Sequence, residues 1–245
     1  ASISPVPAKY FWQDECRGRS ASGPFHQRTS LGEGHNPVHS WSDLLKLILR
    51  MKKIPIGISD FKKIREDDYY YVDKSLLIKE ILHEGAEVLF VPRPRRFGKT
   101  LNLSMLRYYF EKNPEEDCRK LFAGLEIEKD DECLREQGKY PVIFITFKDI
   151  KKKTWEACFA EVKSVVAHEF KRHAEVLPGL DPLDKKEFTD ILEKRAGKTD
   201  FESSLKYLAE ILKKHQVENP VILVDEYDAP INAAFHYGYY EEAVA

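Results

Sequence analysis

Two short runs of residues, Gly98-Lys99-Thr100 and Asp225-Glu226, stand about 125 positions apart and have side chains that suit one chemistry. Glycine lets backbone amides approach a phosphate without an intervening Cβ, lysine carries positive charge to β and γ oxygens, and threonine offers a hydroxyl to Mg²⁺. The second run ends four apolar residues, Val221-Ile222-Leu223-Val224. Two acids at the end of a buried strand are costly unless something cationic faces them. Asp225 as a holder of Mg²⁺ and Glu226 as the base that orients and deprotonates a water would supply that reason. Catalysis is thus expected of Glu226 and Lys99, and metal binding of Thr100 and Asp225.

The phosphate-loop pattern G-x-x-x-x-G-K-[ST] places its first glycine at position 93, where the chain has Arg93, so the match is confined to Gly98, Lys99 and Thr100. Without its surroundings the triplet also reads as a basic surface loop with a glycine turn. Its position between an apolar run and a helical pattern favours the phosphate reading, because amides at a helix N-terminus point toward a bound anion. Arg95, Arg96, Phe97 and Leu101 flank the triplet and join it as candidate cofactor-binding residues. A guanine-specific protein would carry Asn/Thr-Lys-x-Asp downstream of Asp225. The nearest match, Gly197-Lys198-Thr199-Asp200, lies upstream and begins with Gly, so adenine is favoured.

These residues need elements to position them. Val88-Leu89-Phe90-Val91, Tyr140 to Phe147 and Val221 to Val224 are continuous apolar runs of strand length, expected to be covered on both faces. Helical periodicity separates them. Leu77, Ile78, Ile81 and Leu82 follow Asp73 as a possible cap, with Gly85 placed to stop the helix. A second helix begins near Leu101, and Trp155, Cys158, Phe159, Val162, Val166 and Phe170 form a stripe. Asp184 with Glu187, and Thr199 with Glu202, have capping-box spacing before helices near 185–195 and 201–215. Strands separated by crossover helices imply an α/β fold with a mostly parallel sheet, whose ligands bind at strand carboxyl ends. Chemistry is therefore expected just after Val91, Phe147 and Val224.

Composition narrows the classes. The 245 residues carry 39 Lys plus Arg against 41 Asp plus Glu, which disfavours nucleic-acid or membrane binding driven by overall charge. No apolar run approaches the ~20 residues needed to cross a bilayer. Cys16, Cys118, Cys133 and Cys158 show no C-x-x-C pairing, as free thiols in a reducing compartment would, and no secretory leader is visible, so a cytoplasmic location is expected. Residues 1–40 hold six Ser, four Gly and four Pro without sustained periodicity, so 1–50 reads as an unstructured arm or upstream extension. Within it, Ser42 to Arg50 is a candidate amphipathic helix. The folded domain is expected over 51–245, starting near Met51. His168 and His173 are five apart, not an i, i+4 ligand pair, and read as surface residues.

Tyr70-Tyr71-Val72-Asp73-Lys74-Ser75, then Arg93-Pro94-Arg95-Arg96-Phe97-Gly98-Lys99-Thr100-Leu101-Asn102-Leu103-Ser104-Met105-Leu106, then Val224-Asp225-Glu226-Tyr227-Asp228-Ala229-Pro230-Ile231 together resemble a family of bacterial and archaeal AAA-ATPase-like proteins. The resemblance covers 51–245. It implies a P-loop NTPase three-layer sandwich with an additional strand between the Walker strands, and an Arg-Pro-Arg-Arg-Phe-Gly-Lys-Thr loop is the family's habit, which accounts for Arg93. It further implies that a box before the first strand contacts adenine, making Tyr71, Asp73 and Lys74 candidates, with a helix cap as the other reading. The family often carries a C-terminal nuclease-like domain of the PD-(D/E)XK type, and no such motif occurs before Ala245. A core of this class has about five strands, so the chain is expected to stop short after the Walker B strand and its helix.

The function expected from these readings is ATP and Mg²⁺ binding, with hydrolysis coupled to a conformational or assembly change. Other classes remain open: a nucleotide-binding regulatory module that hydrolyses nothing, and a nucleic-acid-associated module using Arg93, Arg95 and Arg96 with Lys151 to Lys153. Self-association or a partner protein belongs with the first. Glu226 separates hydrolysis from mere binding.

Overall fold

Strands form where the sequence runs apolar with β-branched residues. In the computed structural model, which describes residues 52–92, 97–113, 116–216 and 218–244, Val142–Thr146 (β1) pairs in parallel with Val221–Asp225 (β2), register Val142↔Val221 through Thr146↔Asp225. Parallel neighbours require a crossover, and three helices supply it: Trp155–Arg172 (α5), Pro182–Leu192 (α6) and Lys198–Gln216 (α7). Ahead of β1 come Phe61–Glu66 (α1), Leu76–His83 (α2), Lys99–Phe110 (α3) and Asp131–Glu136 (α4); after β2 come Ala229–Tyr237 (α8) and Tyr240–Val244 (α9). The expected arm 1–50, the helix at Ser42 to Arg50, the start at Met51, and Arg93 to Arg96 lie outside the described residues.

Alternation along β1 divides the core. Val142 and Phe144 pack with Leu223 of β2 against Met105, Leu106 and Tyr109 of α3 and Phe61 of α1. Ile143 and Ile145 face the other way, onto Val166 and Phe170 of α5, Phe188 of α6 and Leu208 of α7. The result is a mixed α/β arrangement around a small parallel sheet, two strands wide among the described residues.

The expected first strand is a correction. Val88 to Val91 is no extended strand here: Phe90 is a single bridge residue and Val88 is 82% exposed. A continuous apolar run signals burial only when layers cover it, and among the described residues none covers this one on Val88's side. Helix starts also moved. The α6 helix begins at Pro182 under an Asp181 cap that accepts from the Leu183 and Asp184 amides, so Asp184 lies inside the first turn. Likewise α7 starts at Lys198, and Asp200 reaches back to accept from the Gly197 amide at 2.9 Å. By contrast the α5 stripe, capped by Thr154, lies where periodicity put it.

His173 is a second correction: only His168 is exposed, while His173 is 4% exposed. Its Nε2 lies 3.2 Å from Glu169 Oε1 and 3.2 Å from the Val142 carbonyl. Glu169 also accepts from the Phe144 amide at 2.8 Å, and Arg172 donates to Glu169, Glu111 and the Val142 carbonyl. Side chains of α5 thereby satisfy backbone groups of β1 that β2 does not reach, a cover for an edge that otherwise invites another strand. Cys118, Cys133 and Cys158 are free, buried thiols.

Candidate functional site

The α3 helix begins immediately after Gly98, whose backbone is left-handed at φ 75° and ψ 21°. A Cβ there would meet nothing within 4 Å, so the backbone angle rather than local space asks for glycine. The Gly98 carbonyl accepts from the Asn102 amide at 2.9 Å, and the amides of the turn between have no acceptor within the helix. Lys99 and Thr100 thus sit at the positive end of a twelve-residue helix.

Thr100 Oγ1 donates to Asp225 Oδ2 at 2.8 Å, joining residues 125 apart. Asp225 is the last residue of β2 and is 2% exposed, so this charge-assisted bond offsets part of the desolvation of a buried carboxylate. The Asp225 carbonyl accepts from the Phe147 amide at 3.0 Å, carrying the ladder one residue past β1. Glu226, next in the chain, is left-handed at φ 50°, a conformation that costs a non-glycine residue roughly 1 kcal/mol or more. That turn leads into α8, with the Ala229 amide donating to the Glu226 carbonyl at 2.9 Å.

These elements enclose a cavity of about 980 Å³. Gly98, Lys99, Thr100 and Leu101 line it from α3, and Glu226, Asp228, Asn232 and His236 from β2's end and α8. Lys148 and Lys151 line it from the loop after β1, and Ile56 to Ser59 from the segment before α1. Asn232 Nδ2 donates to Asp228 Oδ2 at 3.0 Å, so the cavity-facing stripe of α8 is internally tied.

A smaller cavity of about 250 Å³ adjoins the first through Gly98 and Leu101. Tyr71, Val72, Lys74 and Phe97 line it. Tyr71 packs edge-on against Phe61 and donates to Met105 Sδ at 3.2 Å, and burial pushes its phenol up to about 12. Asp73 lines neither cavity. Its Oδ1 accepts from the Ser75 amide and its Oδ2 from the Glu126 amide, both at 2.8 Å. Burial works to raise its carboxyl, yet those amides hold it below the ordinary carboxylate value.

Of the residues singled out in the sequence, Lys99, Thr100, Gly98, Leu101 and Glu226 line the larger cavity, with Asp225 hydrogen-bonded to Thr100 beside it. Lys74 and Phe97 line the smaller one. Asp73 is engaged elsewhere, and Arg95 and Arg96 lie outside the described residues. Sequence reasoning passed over Lys148, Asn232, His236 and Ile56 to Ser59. Lys148 had a visible signal: it directly follows Phe147, one of the three strand ends where ligands were expected.

Residues 55–245 match the family described as Predicted AAA-ATPase (AAA-ATPase_like). The chain belongs to that family. A stretch of 97 residues is also 43% identical to the uncharacterized protein in the vnfD 5′ region of Azotobacter chroococcum mcd 1, covering 39% of this chain and 17% of that protein. The chain thus spans less than a fifth of that relative. No solved structure matches it. Membership of the AAA-ATPase-like family supports a nucleotide-binding, ATPase-like role. Among the described residues no helix is long and apolar enough to cross a membrane, and no three His, Cys, Asp or Glu side chains cluster to hold a metal ion.

Proposed function

We propose that this AAA-ATPase-like domain binds ATP with Mg²⁺ in the larger cavity and hydrolyses it, coupling the two states to a conformational or assembly change. The observation that carries the reading is the 2.8 Å bond from Thr100 to the buried Asp225, made beside Lys99 and Glu226 at one cavity. A hydroxyl and a carboxylate side by side are hard oxygen donors of the kind Mg²⁺ takes while keeping several waters. Bound there, Mg²⁺ would neutralise charge on the β and γ oxygens.

This chain's residues do the rest. The amides after Gly98 and the Lys99 ammonium take the β and γ phosphates, and Arg95 and Arg96, just ahead of Gly98 in the sequence, are the cations proposed to supplement them. Glu226 accepts a proton from a water whose oxygen attacks the terminal phosphorus; the bond to the bridging oxygen breaks and ADP leaves. The base lies toward the smaller cavity, against Tyr71 and Phe97 with Lys74 at its side. Asp73 acts one step removed, fixing that segment onto the Glu126 turn. The architecture we propose is the P-loop three-layer sandwich, in a cytoplasmic protein acting with itself or a partner.

Calorimetric titration with ATP and Mg²⁺ tests the reading. Lys99→Ala is expected to lose at least about tenfold in affinity, the scale of a charge-assisted contact. Equal affinity in both proteins overturns the phosphate assignment. Glu226→Gln is expected to keep binding and lose hydrolysis by about a hundredfold or more. A wild type that binds ATP without turnover supports the non-hydrolysing module instead.

A further inference from the structure

Building on the nucleotide reading, we infer that Lys148 is a second phosphate-contacting cation, supplied by the loop after β1, that touches the terminal phosphate and makes the site distinguish ATP from ADP.

Placement comes first. The Phe147 amide donates to the Asp225 carbonyl, so the residue before Lys148 is bonded to the residue that Thr100 holds. Thr146, paired with Asp225 in the ladder, accepts the Lys148 amide on its Oγ1 at 3.4 Å. Lys148 therefore leaves the sheet at its carboxyl end, beside the turn that carries Glu226. It lines the cavity that Lys99, Thr100 and Glu226 line.

Rigidity is the second observation. The loop from Phe147 to Lys152 is exposed in sequence character, yet it is bolted down at several points. The Ile150 amide donates to the Phe147 carbonyl at 3.0 Å, and Ile150 itself is buried against Cys158, Ala234 and Tyr239. Tyr239 Oη donates to the Lys152 carbonyl at 2.8 Å. The loop is thus tied to α5, α8 and the Asp225 strand end. Only the lysine's own four-carbon stem is free to adjust to a ligand, which suits a compact point charge following a phosphate.

Charge is the third. Lys152 spends its ammonium on Glu161 at 3.1 Å, away from the cavity. Among the described residues Lys148 and Lys151 make no ion pair, and both face the cavity. A solvated lysine would fit any loop, but an unpaired one on a fixed loop at the strand end beside Glu226 is placed where negative charge develops when the terminal phosphate is transferred. Lys99 lines the same cavity from α3, so the two ammonium groups belong to different elements. Lys153, two residues beyond Lys151, does not line the cavity and is the natural control.

The test uses the whole protein with Lys148→Ala, Lys148→Arg and Lys153→Ala, reading affinity for Mg²⁺ with ATP, with a non-hydrolysable ATP analogue and with ADP, together with turnover. Lys148→Ala is expected to lose about tenfold or more in affinity for ATP and the analogue while ADP binding is unchanged, the difference a single charge-assisted contact to the terminal phosphate makes. Turnover is expected to fall by about a hundredfold or more. Lys148→Arg should restore most of the analogue affinity. Wild-type discrimination and turnover in Lys148→Ala overturn the inference, as does an equal loss in Lys153→Ala, which would mean a general effect of positive charge. A wild type that binds neither nucleotide overturns the nucleotide reading itself, a distinct result because it appears before any variant is made.

Discussion

Glu226 holds a backbone angle its side chain does not favour, at the end of a strand, facing the cavity. Strain of this kind persists only where the surroundings impose it, and here the Phe147–Asp225 bond on one side and the Ala229–Glu226 bond on the other do so. Asparagine tolerates the left-handed region far better than glutamate. Glu226→Asn is therefore expected to raise unfolding free energy by up to about 1 kcal/mol in urea titration while abolishing hydrolysis, whereas Glu226→Gln abolishes hydrolysis with no gain. A stability loss in Glu226→Asn would mean that the carboxylate contributes structure rather than function. Thr100 makes the complementary case. Thr100→Val keeps the shape but leaves Asp225 without its hydroxyl donor, an expected loss of about 1–3 kcal/mol before any ligand is added. Thr100→Ser should restore most of that loss in the same denaturant titration.

Among elements, α5 does more than cross between the strands. Glu169, Arg172 and His173 on its last turns meet backbone groups of β1, and Arg172 carries the network to Glu111 beyond α3. Burial alone would raise the Glu169 carboxyl. Hydrogen bonds from His173, Arg172 and the Phe144 amide overcome that and hold it down to about 2. A carboxyl depressed in the folded state contributes stability above its ordinary value near 4.5 and loses it as pH falls through about 2. The wild type should thus lose about 3 kcal/mol from this group between pH 5 and 2, and Glu169→Gln, already destabilised at neutral pH, should show a correspondingly flatter urea midpoint over that range. Parallel profiles would exclude Glu169 as the source. The same element shows what the sequence made legible. The α5 stripe follows from helical period and both strands from continuous apolar runs, and both signals are local. His173 was misplaced because its burial depends on Val142, distant in sequence, although Glu169 four residues earlier was a visible partner. The α6 and α7 starts shifted because several acids near each helix offer capping geometry, and only the fold selects Asp181 and Asp200. Val88 to Val91 has the apolarity of a buried strand without the cover, Val88 being 82% exposed.

For the molecule as a whole, the candidate site is assembled from segments far apart in sequence: Ile56 to Ser59, Tyr71 and Val72 with Lys74, Phe97 to Leu101, Lys148 with Lys151, and Glu226 to Tyr237. The motifs located Gly98 to Thr100 and Glu226 in that set, but not Lys148, and the first segment carries no pattern that chemistry would single out. Both faces of the sheet carry a core cluster, yet Ile222 on β2 is 47% exposed and Phe235 on α8 is exposed as well. The elements bordering the site are thus held together partly by a few polar links, chiefly Thr100 to Asp225 and Phe147 to Asp225. A ligand bridging α3, β2 and the Lys148 loop acts on those junctions directly, and whatever binds only the folded state stabilises it by mass action. At a hundredfold excess over its dissociation constant, ATP with Mg²⁺ is expected to add about 2.7 kcal/mol, which raises the midpoint of thermal unfolding by roughly 5–10 °C for a domain of this size. Tenfold weaker binding leaves about 1.4 kcal/mol, so Lys99→Ala at the same ligand concentration should lose about half of that shift or more, and Lys148→Ala about half or more of it with ATP while keeping the shift that ADP gives. Identical shifts for ATP and ADP in the wild type would place the terminal phosphate outside the cavity that Glu226 and Lys148 share.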